Sequence, residues 1–253
     1  MNTGRGIAGV FLFVISQAGA QTGLDVARQM DEQEKPRDMK ADLTMILTNA
    51  RGNSRTSTIR SVSLNGTEKQ MIWFLEPADD KGVAFLKIEH EEGPDEMRLW
   101  LPAFKKVRRI SARQKGDAFM GSDLNYEDMT SRSLDENDYE LLGSEEVEGV
   151  DCYVLEVIPR PETESIYSRH VVWVSKKDLV PLKEESYDRA DRLLKRKTIT
   201  YTPKKDYLLP KEIYVENVQK DHSTRLTFSN IEVDSGVGEE LFHERNLKRM
   251  PTF

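Results

Sequence analysis

Residues 70–75 read Gln70-Met71-Ile72-Trp73-Phe74-Leu75, and from Met71 onward both faces of the segment are apolar. Successive side chains of a strand point to opposite sides, so a half-buried strand alternates apolar with polar residues. This segment does not alternate, and it therefore needs cover on both sides. Val83-Ala84-Phe85-Leu86 and Val171-Val172-Trp173-Val174 share the property. Helices normally supply such cover, but helix signals are few here. The second face must be met by one or two helices, a neighbouring protein or a ligand.

Working outward, short strand patterns alternate with turn signals along the whole chain. Strands are expected over 40–48, 54–64, 69–75, 83–89, 97–101, 106–110, 139–147, 152–159, 168–175, 182–188, 193–202, 211–218 and 224–233. Asn65-Gly66, Glu148-Gly149, Lys176-Lys177-Asp178 and Pro203-Lys204-Lys205-Asp206 are among the turns that separate them. Strands joined by short turns, without intervening helices, make an antiparallel meander rather than a βαβ sheet. In 224–233, Leu226 and Phe228 are in step while Ile231 and Val233 are out of step, the signature of a bulge in a strongly curved sheet. The stretch 193–202 is mostly polar, as in a solvated or edge strand. Thr22-Gly23-Leu24-Asp25 reads as a capping box opening a helix over 24–33. A second short helix is expected after Asn125, over 126–131, and a last helical turn over 239–246.

Residues 1–20 have the layout of a secretory signal: Arg5, an apolar run over 6–16, and Ala18-Gly19-Ala20 before a cut at Gln21. The run is too short for a bilayer core of about 30 Å; an N-terminal anchor is the competing reading. No cysteine follows the cut, so the mature chain is expected to carry no lipid anchor. A single domain over 21–253, working in the periplasm, is expected. Removal of Arg5 takes the net charge from −7 to −8, a poor match for nucleic acid. Cys152 is the only cysteine, which excludes an internal disulfide and a thiolate metal cluster. Its apolar strand context reads as a buried small hydrophobe.

Signs of catalysis are weak. The four histidines, His90, His170, His222 and His243, are not spaced to share a metal, and no nucleophile elbow, Walker loop or dinucleotide fingerprint occurs. No enzyme activity, cofactor or metal is expected, although a dispersed hydrolase site remains an open alternative.

The most distinctive segment is Leu99-Trp100-Leu101-Pro102-Ala103-Phe104-Lys105-Lys106-Val107-Arg108-Arg109-Ile110, followed by Phe119-Met120-Gly121-Ser122-Asp123-Leu124-Asn125-Tyr126-Glu127-Asp128-Met129. Lys105, Lys106, Arg108 and Arg109 either pair with Asp123, Glu127 and Asp128, or face an anionic headgroup or acidic partner. Phe119 and Met120 are loop-borne hydrophobes suited to a lid or plug, with Gly121 as a bend.

These motifs, together with Gly149-Val150-Asp151-Cys152-Tyr153-Val154-Leu155, Val172-Trp173-Val174 and Pro181-Leu182-Lys183, resemble the outer-membrane lipoprotein-sorting proteins, the LolA/LolB-like superfamily. The middle motif resembles one uncharacterised branch, longer than the classical carrier. The resemblance implies a mainly β fold: an incomplete antiparallel β-barrel of about eleven strands, with one or two short helices covering the open side. It implies a periplasmic carrier that holds acyl chains of a lipoprotein or lipid in a hydrophobic cavity and shuttles them between membranes. An inner-membrane exporter and an outer-membrane acceptor are the partners it suggests. The alternative is an accessory docking module of a resistance-nodulation-division type exporter, without lipid cargo. Trp73, Phe74, Phe85, Trp100, Phe104, Phe119 and Met120 are expected to line or gate the hollow, with Phe74 able to replace Trp73 if the strand parity is reversed.

Overall fold

The structure is a computed structural model that describes residues 21–90 and 93–250. The signal expected over 1–20 lies outside the described residues. All thirteen expected segments are strands of one antiparallel sheet, two more than the family resemblance implied. They are β1 (Asp38–Thr48), β2 (Ser54–Leu64), β3 (Lys69–Glu76), β4 (Ala84–Ile88), β5 (Glu96–Leu101), β6 (Lys106–Ile110), β7 (Asn137–Val147), β8 (Val150–Pro159), β9 (Tyr167–Ser175), β10 (Pro181–Asp188), β11 (Leu193–Lys204), β12 (Tyr207–Asn217) and β13 (His222–Val233).

The strand order is β6-β5-β4-β3-β2-β1-β13-β12-β11-β10-β9-β8-β7. Two meanders, β1–β6 and β7–β13, are thus joined back to back by the β1–β13 pair, and the sheet stays open between β6 and β7. The expected bulge is present. Lys40 pairs with Glu232 and Asp42 with Ser229, so Ala41 alone faces both Asn230 and Ile231. Asn230 takes φ +49° there, and its side-chain amide donates to Asp42 at 2.9 Å.

The one α-helix among the described residues, α1 (Gly23–Asp31), starts at the expected capping box: Thr22 Oγ1 accepts from the Asp25 amide, and Asp25 accepts from the Thr22 amide. Its apolar side, Val26 and Ala27, packs on Leu155, Val157, Val172 and Val174. The helix start lies so close to β7 that a Cβ on Gly23 would come within 2.8 Å of the Glu140 backbone.

A second expected helix is replaced by irregular segments. The turns at 126–131 and 239–246 are single 3-10 turns, Glu127–Met129 and Glu239–Leu241, the latter followed by Glu244–Lys248. The doubly apolar strands are covered largely by the chain itself. On one face of β2–β5, Phe242 and Leu247 of the C-terminal segment pack over Val62, Met71, Trp73 and Leu86. Asp38, 1% exposed, fixes the start of that segment by accepting from the Ser235 and Gly236 amides at 2.9 Å and from the Val237 amide at 3.3 Å. Burial opposes the charge on Asp38, but these donors outweigh it and hold its carboxyl below the usual range.

Candidate functional site

The opposite face is the hollow of the sheet, and the segment connecting β6 to β7 fills much of it. Because β6 and β7 are the two edges, residues 111–136, which carry the chain from the first meander to the second, must cross from one edge of the sheet to the other. We call this segment the strap. It passes through the hollow and touches central strands.

The strap's first half is an apolar plug. Phe119 is 4% exposed and packs on Phe85 at 5.1 Å between ring centroids, on Tyr126 at 5.9 Å and on Phe74 at 6.2 Å. Such ring pairs contribute about 0.5–1.5 kcal/mol each beyond their area. Leu43, Met45, Leu47, Ile59, Ile72 and Leu99 are among the other members of the cluster, with Met120 partly buried at its border. Met120 and Gly121 are both left-handed, at φ +50° and +78°, which turns the chain sharply behind the plug.

Polar pins hold the rest of the strap. Asp123 accepts from the hydroxyl of Thr224 and pairs with His222 Nδ1, both at 2.7 Å. Glu127 accepts from the Ile166 amide at 2.9 Å and from the Ser165 hydroxyl. Asp128 meets Lys195 Nζ and the Tyr167 hydroxyl at 2.7 Å each. Burial pushes the Asp128 carboxyl up, but Lys195 and the Asn125 amide outweigh it and keep it below its ordinary value. The β11 stretch is not at an edge of the sheet, but it is solvated on one face as expected, with Arg196, Thr198 and Thr200 exposed. Its other face meets the strap, and Lys195 there is only 4% exposed.

The last pin is Arg132, whose guanidinium reaches Glu184 at 2.6 and 3.2 Å and His170 Nδ1 at 3.3 Å. Lys197 joins Glu184 at 2.9 Å. Burial would raise Glu184, but Arg132, Lys197 and the hydrogen bond with His170 hold it well below the usual carboxylate range. Burial and the Arg132 charge push His170 down to about 4, so the ring is neutral near pH 7. Ser186, His170 and Glu184 together suggest a hydrolytic triad, but the geometry does not make one. Ser186 Oγ lies 2.9 Å and Glu184 Oε1 3.3 Å from the same nitrogen, Nδ1, whereas a relay needs the hydroxyl and the acid on opposite ring nitrogens.

Between α1, the second half of the strap and β8–β10 lies a cavity of about 370 Å³. Ala27, Met30, Leu134, Leu155, Val157 and Val172 form an apolar wall, and Arg132, Glu184 and Lys197, with the neutral His170 among them, a charged one. Its volume falls within the range of small-molecule sites. Sequence reasoning missed the charged wall. Its residues are scattered over the strap and three strands, and the only signal was the polar character of β11.

Of the seven expected lining residues, Phe74, Phe85, Phe119 and Met120 meet in the hollow. The parity of β3 places Phe74 there and turns Trp73 to the other face. Trp73 and Trp100 lie under the C-terminal segment. Phe104 belongs to neither cluster and is 75% exposed at the β5–β6 turn. Cys152 is fully buried, as expected.

A family model described as an uncharacterized protein family matches residues 66–249. A solved domain from Vibrio parahaemolyticus, described as a candidate outer membrane lipoprotein-sorting protein domain, is 37% identical, with 90% of this chain and 98% of that chain covered at a TM-score of 0.85. A DUF1329 family protein from Desulfovibrio piger is 32% identical over 89% and 97% of the two chains, at a TM-score of 0.84. The chain belongs to the DUF1329 family. A LolA superfamily protein from Nitrosomonas europaea is 19% identical over 89% and 99%, with a TM-score of 0.71, and shows that the DUF1329 sheet shares the LolA fold. The superfamily resemblance read from the motifs is thereby borne out. No curated protein sequence matches the chain.

Proposed function

We propose that this DUF1329 protein is a periplasmic carrier that holds acyl chains of a lipoprotein or lipid in the hollow between sheet, α1 and strap, and shuttles them between membranes. The observation that carries this reading is the 370 Å³ cavity beside a plugged apolar hollow. An acyl tail starts in the cavity against Met30, Leu155 and Val172, and extends toward Phe74 and Phe85 as Phe119 and Met120 move aside. The energetics permit the exchange. Re-exposing Phe119 costs about 3 kcal/mol, whereas a tail of about a dozen methylenes gains about 10 kcal/mol on leaving water. Release requires no bond chemistry, only an acceptor with higher affinity.

Among the described residues no helix is long and apolar enough to cross a membrane. The expected exporter and acceptor remain part of this proposal. One observation favours the second reading, an exporter docking module without cargo: Phe119 already fills the apolar half of the hollow.

A single experiment separates the two readings. The natively purified protein is extracted with organic solvent, and acyl species are quantified by mass spectrometry. A carrier yields close to one cargo per chain, reduced in Met120→Ala, which keeps the wild-type melting temperature. Acyl content at background level in the wild type refutes the carrier.

A further inference from the structure

Phe104 is the most exposed large hydrophobic side chain among the described residues. It sits on a fixed turn. Pro102 opens a single 3-10 turn over Pro102–Phe104, Lys105 closes it at φ +47°, and the Lys105 amide donates to the Pro102 carbonyl at 3.0 Å. The turn joins β5 to β6 at the edge of the sheet.

Behind this tip is a concentration of positive charge. From Leu99 to Arg113 the chain carries Lys105, Lys106, Arg108, Arg109 and Arg113 and no acid, within a protein of net charge −7. All five are exposed. The acids that would have neutralised them are engaged elsewhere: Asp123 with Thr224 and His222, Glu127 with Ser165 and Ile166, and Asp128 with Lys195 and Tyr167. Only Arg108 has a salt-bridge partner among the described residues, Asp117 at 4.0 Å. The neighbouring loop over 77–82 brings Asp79 and Asp80, but Asp80 is paired with Arg55 at 2.6 Å and Lys81 offsets Asp79.

We propose that the β5–β6 tip docks the protein on an anionic phospholipid bilayer, with Phe104 entering the interfacial region and Lys105, Lys106, Arg108 and Arg109 on the headgroups. A protein partner would call for a flat apolar patch with a polar rim; here a single aromatic ring projects beyond a basic collar. That is the arrangement by which peripheral proteins bind a charged leaflet: apolar insertion plus electrostatic attraction, about fivefold in partitioning per basic residue. Phe104 belongs to neither packed cluster, and its exposure does not depend on what the hollow holds, so the inference stands independently of the cargo.

The test is flotation with vesicles of phosphatidylcholine alone and with about 30% phosphatidylglycerol. The wild type is expected to float with the anionic vesicles at low ionic strength and to be released by salt, as screening requires. Phe104→Ser and the pair Lys105→Glu/Lys106→Glu are each expected to weaken binding at least about tenfold. Because all three side chains are exposed, their melting temperatures should match the wild type. Failure to bind anionic vesicles, equal binding to neutral ones, or undiminished binding by Phe104→Ser overturns the proposal.

Discussion

His170 carries the clearest consequence at the scale of single residues. Its folded-state pKa is about 4, below the ordinary value of 6.5, because burial and Arg132 disfavour the imidazolium. The unfolded chain therefore takes up a proton as pH falls through 6.5, while the folded protein does not until about 4. The stability associated with the neutral ring is fully present above pH 6.5 and is lost progressively below it, by up to about 3 kcal/mol. Glu184 and Asp128, both held low, begin to matter only below the ordinary carboxylate range. We expect the unfolding free energy, measured with denaturant at pH 7 and pH 4.5, to fall more steeply in the wild type than in His170→Gln. Equal slopes would exclude a buried neutral imidazole. None of this was legible beforehand. The partners Arg132, His170 and Glu184 sit at distant points of the chain, and each alone reads as an ordinary polar residue.

At the scale of elements, the strands were the legible part. Period-two patterns and turn residues are local properties, and they located all thirteen segments, the bulge at Asn230 and the capped start of α1. The covering segments were not legible, because the strap and the C-terminal segment have no periodicity to reveal them. Long-range anchors position them instead. The side of the sheet taken by Trp73 and Trp100 could not be read for the same reason: both faces of β3 are apolar, and only the C-terminal cover distinguishes them. Asp38 is the anchor of that cover. Replacing it with alanine leaves the Ser235, Gly236 and Val237 amides without their acceptor and should cost about 2–4 kcal/mol. As the segment detaches, Trp73 and Trp100 become wet, and tryptophan emission should shift to the red under native conditions. An unshifted spectrum in a destabilised Asp38→Ala would mean that the C-terminal segment stays seated without it.

At the scale of the whole molecule, two meanders share one sheet through β1 and β13 and are laced together by the strap. If cargo displaces the plug, loading should change the strap and leave the sheet alone. Amide exchange over 119–126 should accelerate on loading with a long-chain acyl probe, while the paired amides of β1 and β13 stay protected. Unchanged exchange over 119–126 in a loaded sample would place the probe elsewhere. The unjoined edges of β6 and β7 have one more implication. In a barrel whose last strand bonds to its first, strand number and stagger fix the bore. A wall with an unstitched seam has no such fixed girth. Small changes of curvature, absorbed at the bulges, would widen or narrow it without breaking a ladder hydrogen bond, so a carrier built on this scaffold would not be confined to guests of one thickness.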